Sequence, residues 1–230
     1  MAEKKLRLFS AMQPTGELHI GNYLGALRKW VELSHIHEGI YGIVDYHAMT
    51  VPYDPSEMRT RTENVAIGYI ACGIDPEASI VFVQSHVPEH TELAWIFNTL
   101  TPLGMLERMT QFKEKAARGV SVNVGLLDYP VLQAADILLY KATGVPVGED
   151  QVQHLELTRE IARKFNKAFG TTFPEPETIL SPTPRVLGLD GKNKMSKTLD
   201  NHIALADPPE VIWKKLSTRG VTDTRRARRT

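Results

Sequence analysis

The segment between Phe9 and Asn22 constrains the fold more than any other stretch of this chain. Residues 6–9 alternate like a short strand, Pro14 and Gly16 mark a turn, and helical spacing begins at Asn22. The pattern predicts a strand, a loop of small residues and a helix amino terminus. Such a junction points unpaired N–H groups and the positive end of a helix dipole at one place, which suits a phosphate.

Three residues at the end of this loop carry groups that could act on a phosphate. Gly21 would let a ligand approach the backbone, while the His19 imidazole and the Asn22 amide could donate hydrogen bonds to a phosphoryl group in a transition state. A histidine at a helix start is more often a surface residue or a cap. The functional interpretation therefore requires a second phosphate-binding element elsewhere in the chain.

Composition limits the class of protein. The chain has 230 residues, of which 42% are hydrophobic, enough for one sizeable α/β domain with at most a small appendage. Its 27 basic and 27 acidic side chains cancel, so an RNA partner would be held by a local patch. The single cysteine, Cys72, excludes an internal disulfide and a multi-cysteine metal cluster. Because we find no signal peptide or membrane span, we expect a soluble cytoplasmic protein.

The first half of the chain alternates strands and helices. Buried strands are predicted at 39–45 and 79–84, and Asp54 is predicted to start a helix that Gly73 ends. Strands and helices at this spacing predict an α/β fold, a doubly wound parallel sheet of the Rossmann-like kind.

The second half is expected to contain a helical insertion. Residues 88–117 read as two helices broken near 101–104, within an insertion at about 88–120, and 123–127 as a loop or short strand. The sheet resumes at 145–147, Asp150 is expected to cap a helix to about Phe169, and further elements are predicted at 185–189 and 209–216. We expect a catalytic domain over 1–190, then a lysine-rich loop, a short helix and the start of a truncated helical domain over 191–230.

A lysine-rich loop at 190–198 supplies the second phosphate element. Such a run is usually a solvated turn, but loops that leave the carboxyl ends of an early and a late strand can meet at the switch point of a doubly wound sheet. Read together with residues 19–22, it completes a clamp for the phosphates of ATP and the departing pyrophosphate.

Two motifs resemble the signatures of class I aminoacyl-tRNA synthetases. His19-Ile20-Gly21-Asn22 resembles the first, with asparagine in place of the final histidine, and Lys194-Met195-Ser196-Lys197-Thr198 resembles the second, with threonine in place of the closing serine. The segments 107–115, 129–138 and 147–159 look like the bacterial type of tryptophanyl-tRNA synthetase. The similarity spans Phe9 to about Lys215.

Asp136 is the residue that we predict to set specificity. Tyr129, Gln133 and Asp136 share one side of a predicted helix, and apolar residues flank the carboxylate. Burying a carboxylate is costly unless a group donates a hydrogen bond to it. That donor could be a partner within the protein, as in a buried salt bridge, or the indole N–H of a tryptophan ligand. In the second case a ligand that lacks the N–H would leave the carboxylate unpaired and would be rejected.

The resemblance implies the rest of the site, with catalysis by His19, Asn22, Lys194, Ser196 and Lys197. It places around tryptophan Phe9, Ala11, Val44, His47, Tyr129, Gln133, Asp136 and Gln151. It places around ATP Gln13, Pro14, Thr15, Gly21, Asn22, Gly148, Glu149, Asp150, Val186, Lys194, Met195, Ser196, Lys197 and Thr198. Gln133 occupies a position where the family often has methionine, and Asp150 serves equally well as an ordinary helix cap. His35, His37, His86, His90 and His202 show no ligand spacing, and we assign no metal to them.

The implied reaction is the activation of L-tryptophan by ATP with Mg²⁺, giving tryptophanyl-adenylate and pyrophosphate, followed by transfer to tRNA(Trp). The resemblance also implies a homodimer formed through the helical insertion. Three alternatives stay open: a tyrosine-specific relative, a smaller nucleotidylyltransferase that would lack the loop at 194–198, and a truncated fragment or binding module that charges no tRNA. The basic ending at 218–230 encourages the last of these.

Overall fold

A parallel sheet lies at the centre of the computed structural model, which describes residues 5–117, 123–180, 186–197 and 199–218. Within these residues, its five strands are β1 Arg7–Met12, β2 Glu38–Ile43, β3 Ile80–Val83, β4 Gly144–Val147 and β5 Glu177–Leu180. Their order is β3-β2-β1-β4-β5, and every neighbouring pair is parallel. The predicted doubly wound α/β fold is confirmed, and its strand order reverses between β1 and β4.

Helices connect the strands. The first helix, α1, consists of Ile20–Asn22, a π-helical Tyr23–Leu27 and Arg28–Ser34. The others are α2 Asp45–Ala48, α3 Pro55–Ala71, α4 Glu89–Asn98, α5 Leu103–Glu107, α6 Thr110–Ala117, α7 Val124–Leu139, α8 Val152–Phe169 and α9 Pro209–Thr218. Short 3₁₀ turns at Gln84–His86 and Glu149–Gln151 follow β3 and β4. In the described part of the chain, no helix is long and apolar enough to cross a bilayer.

The strand register brings four loops to one edge of the sheet. The β1–β2 pairing runs from Arg7 opposite Glu38 to Met12 opposite Ile43, so both strands end together, and β3 ends beside Ile43. β4 runs parallel to β1 on the other side. The segments after these four strands therefore open at the same edge, and that edge carries the candidate site.

Apolar clusters pack helices against the sheet and against one another. One cluster joins α1 and α3 to β2 through Leu27, Trp30, Tyr41, Val65 and Tyr69. A second cluster packs α4 and α5 against α7 and α8, and it contains Ala94, Phe97, Leu106, Val131, Ala134, Ala135, Leu138 and Ile161. The packed side predicted for α7 is thus fully buried, which turns the polar side of that helix toward the edge described above.

Helix α7 begins earlier than the sequence pattern predicted. The interpretation of 123–127 as a loop or short strand is wrong, because the Asn123 side chain accepts a hydrogen bond from the Leu126 N–H at 2.8 Å and caps the helix. The helix therefore starts one and a half turns before Tyr129. The cap predicted at Asp54 is confirmed, with its side chain accepting from the Ser56 N–H at 2.9 Å.

Two further predictions about elements need correction. Residues 88–117 form three helices rather than two, since a second break falls at Arg108. The strand predicted at 185–189 is reduced to a bridge between Leu187 and Lys194, while Arg185 lies outside the described residues. The edge of the sheet is occupied instead by β5, which pairs with β4 along its whole length. The division into domains at residue 190 stays a prediction.

The cap of α7 gives a test of the fold. Replacing Asn123 by alanine leaves the Leu126 N–H without its side-chain acceptor, so we expect Asn123→Ala to lower the free energy of unfolding by about 1 kcal/mol. Asn123→Ser keeps a capping oxygen and should stay close to the wild type. The measurement is urea unfolding followed by circular dichroism. Equal losses for alanine and serine would show that the side chain does not act as a cap.

Candidate functional site

A cavity of about 330 Å³ lies at the carboxyl edge of the sheet. Phe9 and Ala11 of β1 form one wall, and Val145 and Val147 of β4 form another. The cavity therefore lies between the two strands at which the strand order reverses. This is where ligands of doubly wound proteins bind.

The structure brings together all the residues that were predicted to surround tryptophan. The lining includes Phe9, Ala11, Val44, His47, Tyr129, Gln133, Asp136 and Gln151, and from the predicted ATP set Gln13 and Asp150. It also includes Ser10, Thr50, Gln111, Ile137, Val145 and Val147, which the sequence analysis missed. The period-2 alternation of β4 could have found Val145 and Val147, because both side chains leave the same face of the strand.

Asp136 lies at the cavity and is 1% exposed. Gln84 donates its amide N–H to Oδ1 at 2.7 Å, His90 Nδ1 lies 2.7 Å from Oδ1, and His47 Nε2 lies 2.7 Å from Oδ2. Burial raises the pKa of Asp136, but the two histidines outweigh this effect and lower the pKa overall. The carboxylate is therefore ionised at neutral pH, and since it can only accept, both ring nitrogens donate to it.

Of the two kinds of partner left open by the sequence, the structure shows donors from the protein itself. The role of Asp136 in reading a ligand stays a prediction. Gln84 and His90 were both missed as site residues. His90 was considered only for metal-ligand spacing. A signal for Gln84 was present, since it follows directly after strand β3.

Polar side chains on α7 and in the turn after β4 line another part of the cavity. Gln133 donates to the side-chain oxygen of Gln151 at 3.2 Å, and Gln151 donates to Asp150 Oδ2 at 2.8 Å. Tyr129 Oη lies 2.8 Å from His154 Nε2, and burial together with the Asp150 charge raises the pKa of Tyr129 to about 12. The prediction that Asp150 caps α8 is wrong, because Gln151 occupies the cap position and Asp150 belongs to the preceding 3₁₀ turn.

The opening loop and the lysine-rich loop are in contact. A Cβ atom added to Gly21 would lie 3.5 Å from Met195 Cβ, and one added to Gly16, where φ is +136°, would lie 3.2 Å from Lys197 Cδ. Backbone hydrogen bonds reinforce the contact, since the Ile20 N–H donates to the Ile203 carbonyl at 3.1 Å. The predicted elements at 19–22 and 194–197 thus form one cluster, with Pro14 and Thr15 in the connection from the cavity.

Lysine side chains surround a buried histidine in this cluster. His19 is 9% exposed, and its Nδ1 atom is buried without a hydrogen-bond partner among the described residues. Burial and the charges of Lys197, His202 and Lys194 lower the pKa of His19 to about 4. Burial and Arg61 lower the pKa of Lys197 to about 8, although Glu17 opposes them. An arriving anion would relieve these costs. Asn22 fixes the turn, because its side-chain oxygen accepts from the His19 N–H at 3.0 Å.

Hydrogen bonds of the Asp190 and Asn201 side chains stabilise the lysine-rich loop. The Asp190 carboxylate accepts from the backbone N–H groups of Lys192 and Asn193, both at 3.0 Å, and from the Asn201 amide at 2.9 Å. Asn201 in turn accepts from the Ser196 N–H at 2.7 Å. The sequence analysis missed Asn201, since no pattern connects it to the loop.

The remaining predicted residues fall near these two groups. The Met195 N–H donates to the Val186 carbonyl at 2.9 Å, and Gly148 and Glu149 begin the turn that contains Asp150. Thr198 lies outside the described residues. Among the residues that the structure describes, no group of three or more His, Cys, Asp or Glu could hold a metal ion.

Comparison with known proteins identifies the family. The chain matches the family of class I tRNA synthetases (W and Y) over residues 1–228. It is 53% identical to the tryptophan–tRNA ligase of Deinococcus radiodurans over 229 residues, which are 97% of this chain and 69% of that protein. The tryptophan–tRNA ligase of Gloeobacter violaceus is 54% identical over 216 residues, 91% of this chain and 64% of that protein.

Solved structures give the same result. The tryptophanyl-tRNA synthetase of Campylobacter jejuni, complexed with ADP and tryptophan, superposes with a TM-score of 0.88 at 41% identity, over 95% of this chain and 68% of that one. The tyrosyl-tRNA synthetase of Archaeoglobus fulgidus gives 0.75 at 26% identity, over 93% and 65%. The chain spans about two thirds of the length of these relatives. It belongs to the class I tRNA synthetases (W and Y), and the resemblance to the bacterial tryptophan enzymes is confirmed.

Proposed function

We propose that this chain activates L-tryptophan with ATP and so forms tryptophanyl-adenylate, which is then transferred to tRNA(Trp). The observation that carries the proposal is a buried, ionised carboxylate at a cavity of about 330 Å³ beside a lysine-containing cluster formed by residues 19–22 and 194–197. The proposal places an aromatic amino acid in the cavity and the triphosphate at the cluster. The names of the relatives support tryptophan as the amino acid.

The hydrogen bonds of Asp136 support its role in reading the indole ring. A carboxylate has about four acceptor positions, and among the described residues Oδ1 takes two donors and Oδ2 takes one. One acceptor position thus remains, and the indole N–H is a single donor. A ligand without that donor would leave a buried acceptor unpaired, which is strongly rejected.

The chemistry needs orientation and charge neutralisation. A carboxylate oxygen of tryptophan attacks the α-phosphorus of ATP, and the bond from that phosphorus to the oxygen bridging it to the β-phosphate breaks as pyrophosphate leaves. We assign the phosphates to His19, Gly21, Asn22, Lys194, Met195, Ser196, Lys197 and Thr198, and the adenosine to Gln13, Pro14, Thr15, Val186 and the turn at 148–150. Mg²⁺ arrives with ATP as part of the substrate, and the charge that grows on the departing group is met by the lysines.

We infer that the enzyme acts in the cytoplasm as a homodimer. Exposed apolar side chains on α4 and α5 support a contact with a second copy, since Trp95 is 73% and Leu103 is 58% exposed.

The amino acid specificity is tested by ATP–pyrophosphate exchange. Tryptophan should support exchange, and a tenfold excess of tyrosine should neither replace it nor inhibit it. A phenol can donate one hydrogen bond, but it does not place the donor where the indole N–H lies. Exchange driven by tyrosine would contradict the proposal and favour the tyrosine-specific alternative.

Lys197→Ala tests the role of the lysine-rich loop. Loss of a charge that acts on the departing phosphate should lower the exchange rate about 100-fold or more, while tryptophan binding stays within about twofold. Lys192→Ala is the matched control, because Lys192 is an exposed lysine of the same loop and should leave the rate unchanged. Equal losses of rate and of tryptophan affinity in Lys197→Ala would argue against a role in the transition state.

Because of the pKa of Lys197, we expect the protein to take up protons when a triphosphate binds. With a pKa of about 8 in the free protein, Lys197 is about half protonated at pH 8, and a bound anion raises that pKa. Binding of a non-hydrolysable ATP analogue at pH 8 should therefore take up as much as about half a proton. Calorimetry in buffers of different ionisation enthalpy measures the uptake. Lys197→Arg should lose the proton uptake that is due to Lys197, because arginine is already charged before the ligand binds. An undiminished uptake in Lys197→Arg would contradict the placement of Lys197 at the triphosphate.

A further inference from the structure

His90 and Tyr140 hold the cavity carboxylate without belonging to the described residues that line the cavity. His90, on α4, is 0% exposed. Its Nδ1 lies 2.7 Å from Asp136 Oδ1, and its Nε2 lies 2.9 Å from the hydroxyl of Tyr140, just after α7. His90 thus contacts Asp136 directly, and Tyr140 is joined to Asp136 through His90.

The contacts determine which ring nitrogen of His90 carries a proton toward Asp136. The ionised Asp136 only accepts hydrogen bonds, so Nδ1 carries a proton. The other ring nitrogen, Nε2, forms a hydrogen bond with the Tyr140 hydroxyl, and in a neutral imidazole with its proton on Nδ1 this nitrogen is the acceptor. The Phe82 ring stacks on the imidazole at 5.3 Å and 12°, which restricts rotation of the ring. The two hydrogen bonds and the stacked ring thus fix the position and the rotation of His90.

His90 in turn limits what Asp136 can offer. With Gln84 and His90 both on Oδ1, and His47 on Oδ2, the carboxylate cannot rotate without breaking a hydrogen bond in a buried site. The acceptor position that remains therefore lies on Oδ2 in one fixed direction. A carboxylate held less firmly could turn toward donors placed elsewhere.

We propose that His90 and Tyr140 are positioning residues for amino acid specificity, because they hold Asp136 so that one acceptor position on Oδ2 is presented to the ligand. This inference rests on the proposed activation of tryptophan. The same tyrosine ring also stacks on Phe9, a wall of the cavity, at 5.9 Å and 15°. The Tyr140 side chain thus contacts both Phe9 in the cavity wall and His90, which holds the carboxylate.

Three variants separate the hydrogen bonds from the packing. Tyr140→Phe keeps the ring that stacks on Phe9 and removes the hydroxyl alone. His90→Asn keeps an N–H donor near the position of Nδ1 and loses the acceptor for Tyr140, while His90→Leu removes both hydrogen bonds. His86→Asn is the matched control, since His86 is an exposed histidine four residues away.

The experiment is tryptophan-dependent ATP–pyrophosphate exchange with the full chain. We expect the KM for tryptophan to rise about 3- to 10-fold in Tyr140→Phe and more in His90→Leu, with partial rescue in His90→Asn. The KM for ATP and kcat should stay within about twofold, and His86→Asn should match the wild type. Nitrogen-15 NMR at pH 8 should show the Nδ1–H tautomer for His90 and the Nε2–H tautomer for His47.

Two results would overturn the inference. One is an unchanged KM for tryptophan in Tyr140→Phe and His90→Asn, and the other is an Nε2–H tautomer at His90. If His90→Leu fails to fold, Tyr140→Phe and the NMR measurement still decide. Absence of exchange in the wild type would instead overturn the proposed function, and that outcome is distinct from an effect confined to the variants.

Discussion

The site depends on keeping one ionised carboxylate buried. Asp136 tolerates burial because side chains from three separate elements donate to it: His47 from α2, Gln84 after β3 and His90 from α4. A charge without such partners would be neutralised or would destabilise the fold. Among the described residues, the same hydrogen bonds that stabilise the charge leave it one acceptor position, so in the proposed function stability and recognition arise from a single arrangement.

The parallel sheet makes this arrangement possible. Since β1, β2, β3 and β4 end at one edge, residues distant in sequence meet around one cavity. The segment after the lysine-rich loop is joined to the opening loop by the hydrogen bond from the Ile20 N–H to the Ile203 carbonyl, and Lys197 of the loop lies against Gly16. Amino acid and nucleotide can therefore occupy neighbouring positions, as an in-line attack on the α-phosphate requires.

The sequence predicted the features that local pattern and motif determine. The strands β1, β2 and β3, the cap at Asp54 and the residues around the cavity follow from periodicity, capping chemistry and resemblance. Predictions from the sequence failed for features that tertiary contacts determine. The strand β5 forms because β4 offers a free edge, and His90 is recruited to Asp136 by the packing of α4 against α7. Asn201 reaches Asp190 only because the loop folds back on itself.

The central claim is that one buried acceptor reads the indole N–H. The most direct test compares the dissociation constants of tryptophan and of 3-benzothienylalanine, which has nearly the same shape but carries sulfur in place of the N–H. An unpaired buried acceptor costs about 1–3 kcal/mol, so the account predicts that tryptophan binds roughly 10- to 100-fold more tightly. Equal dissociation constants for the two ligands would contradict it.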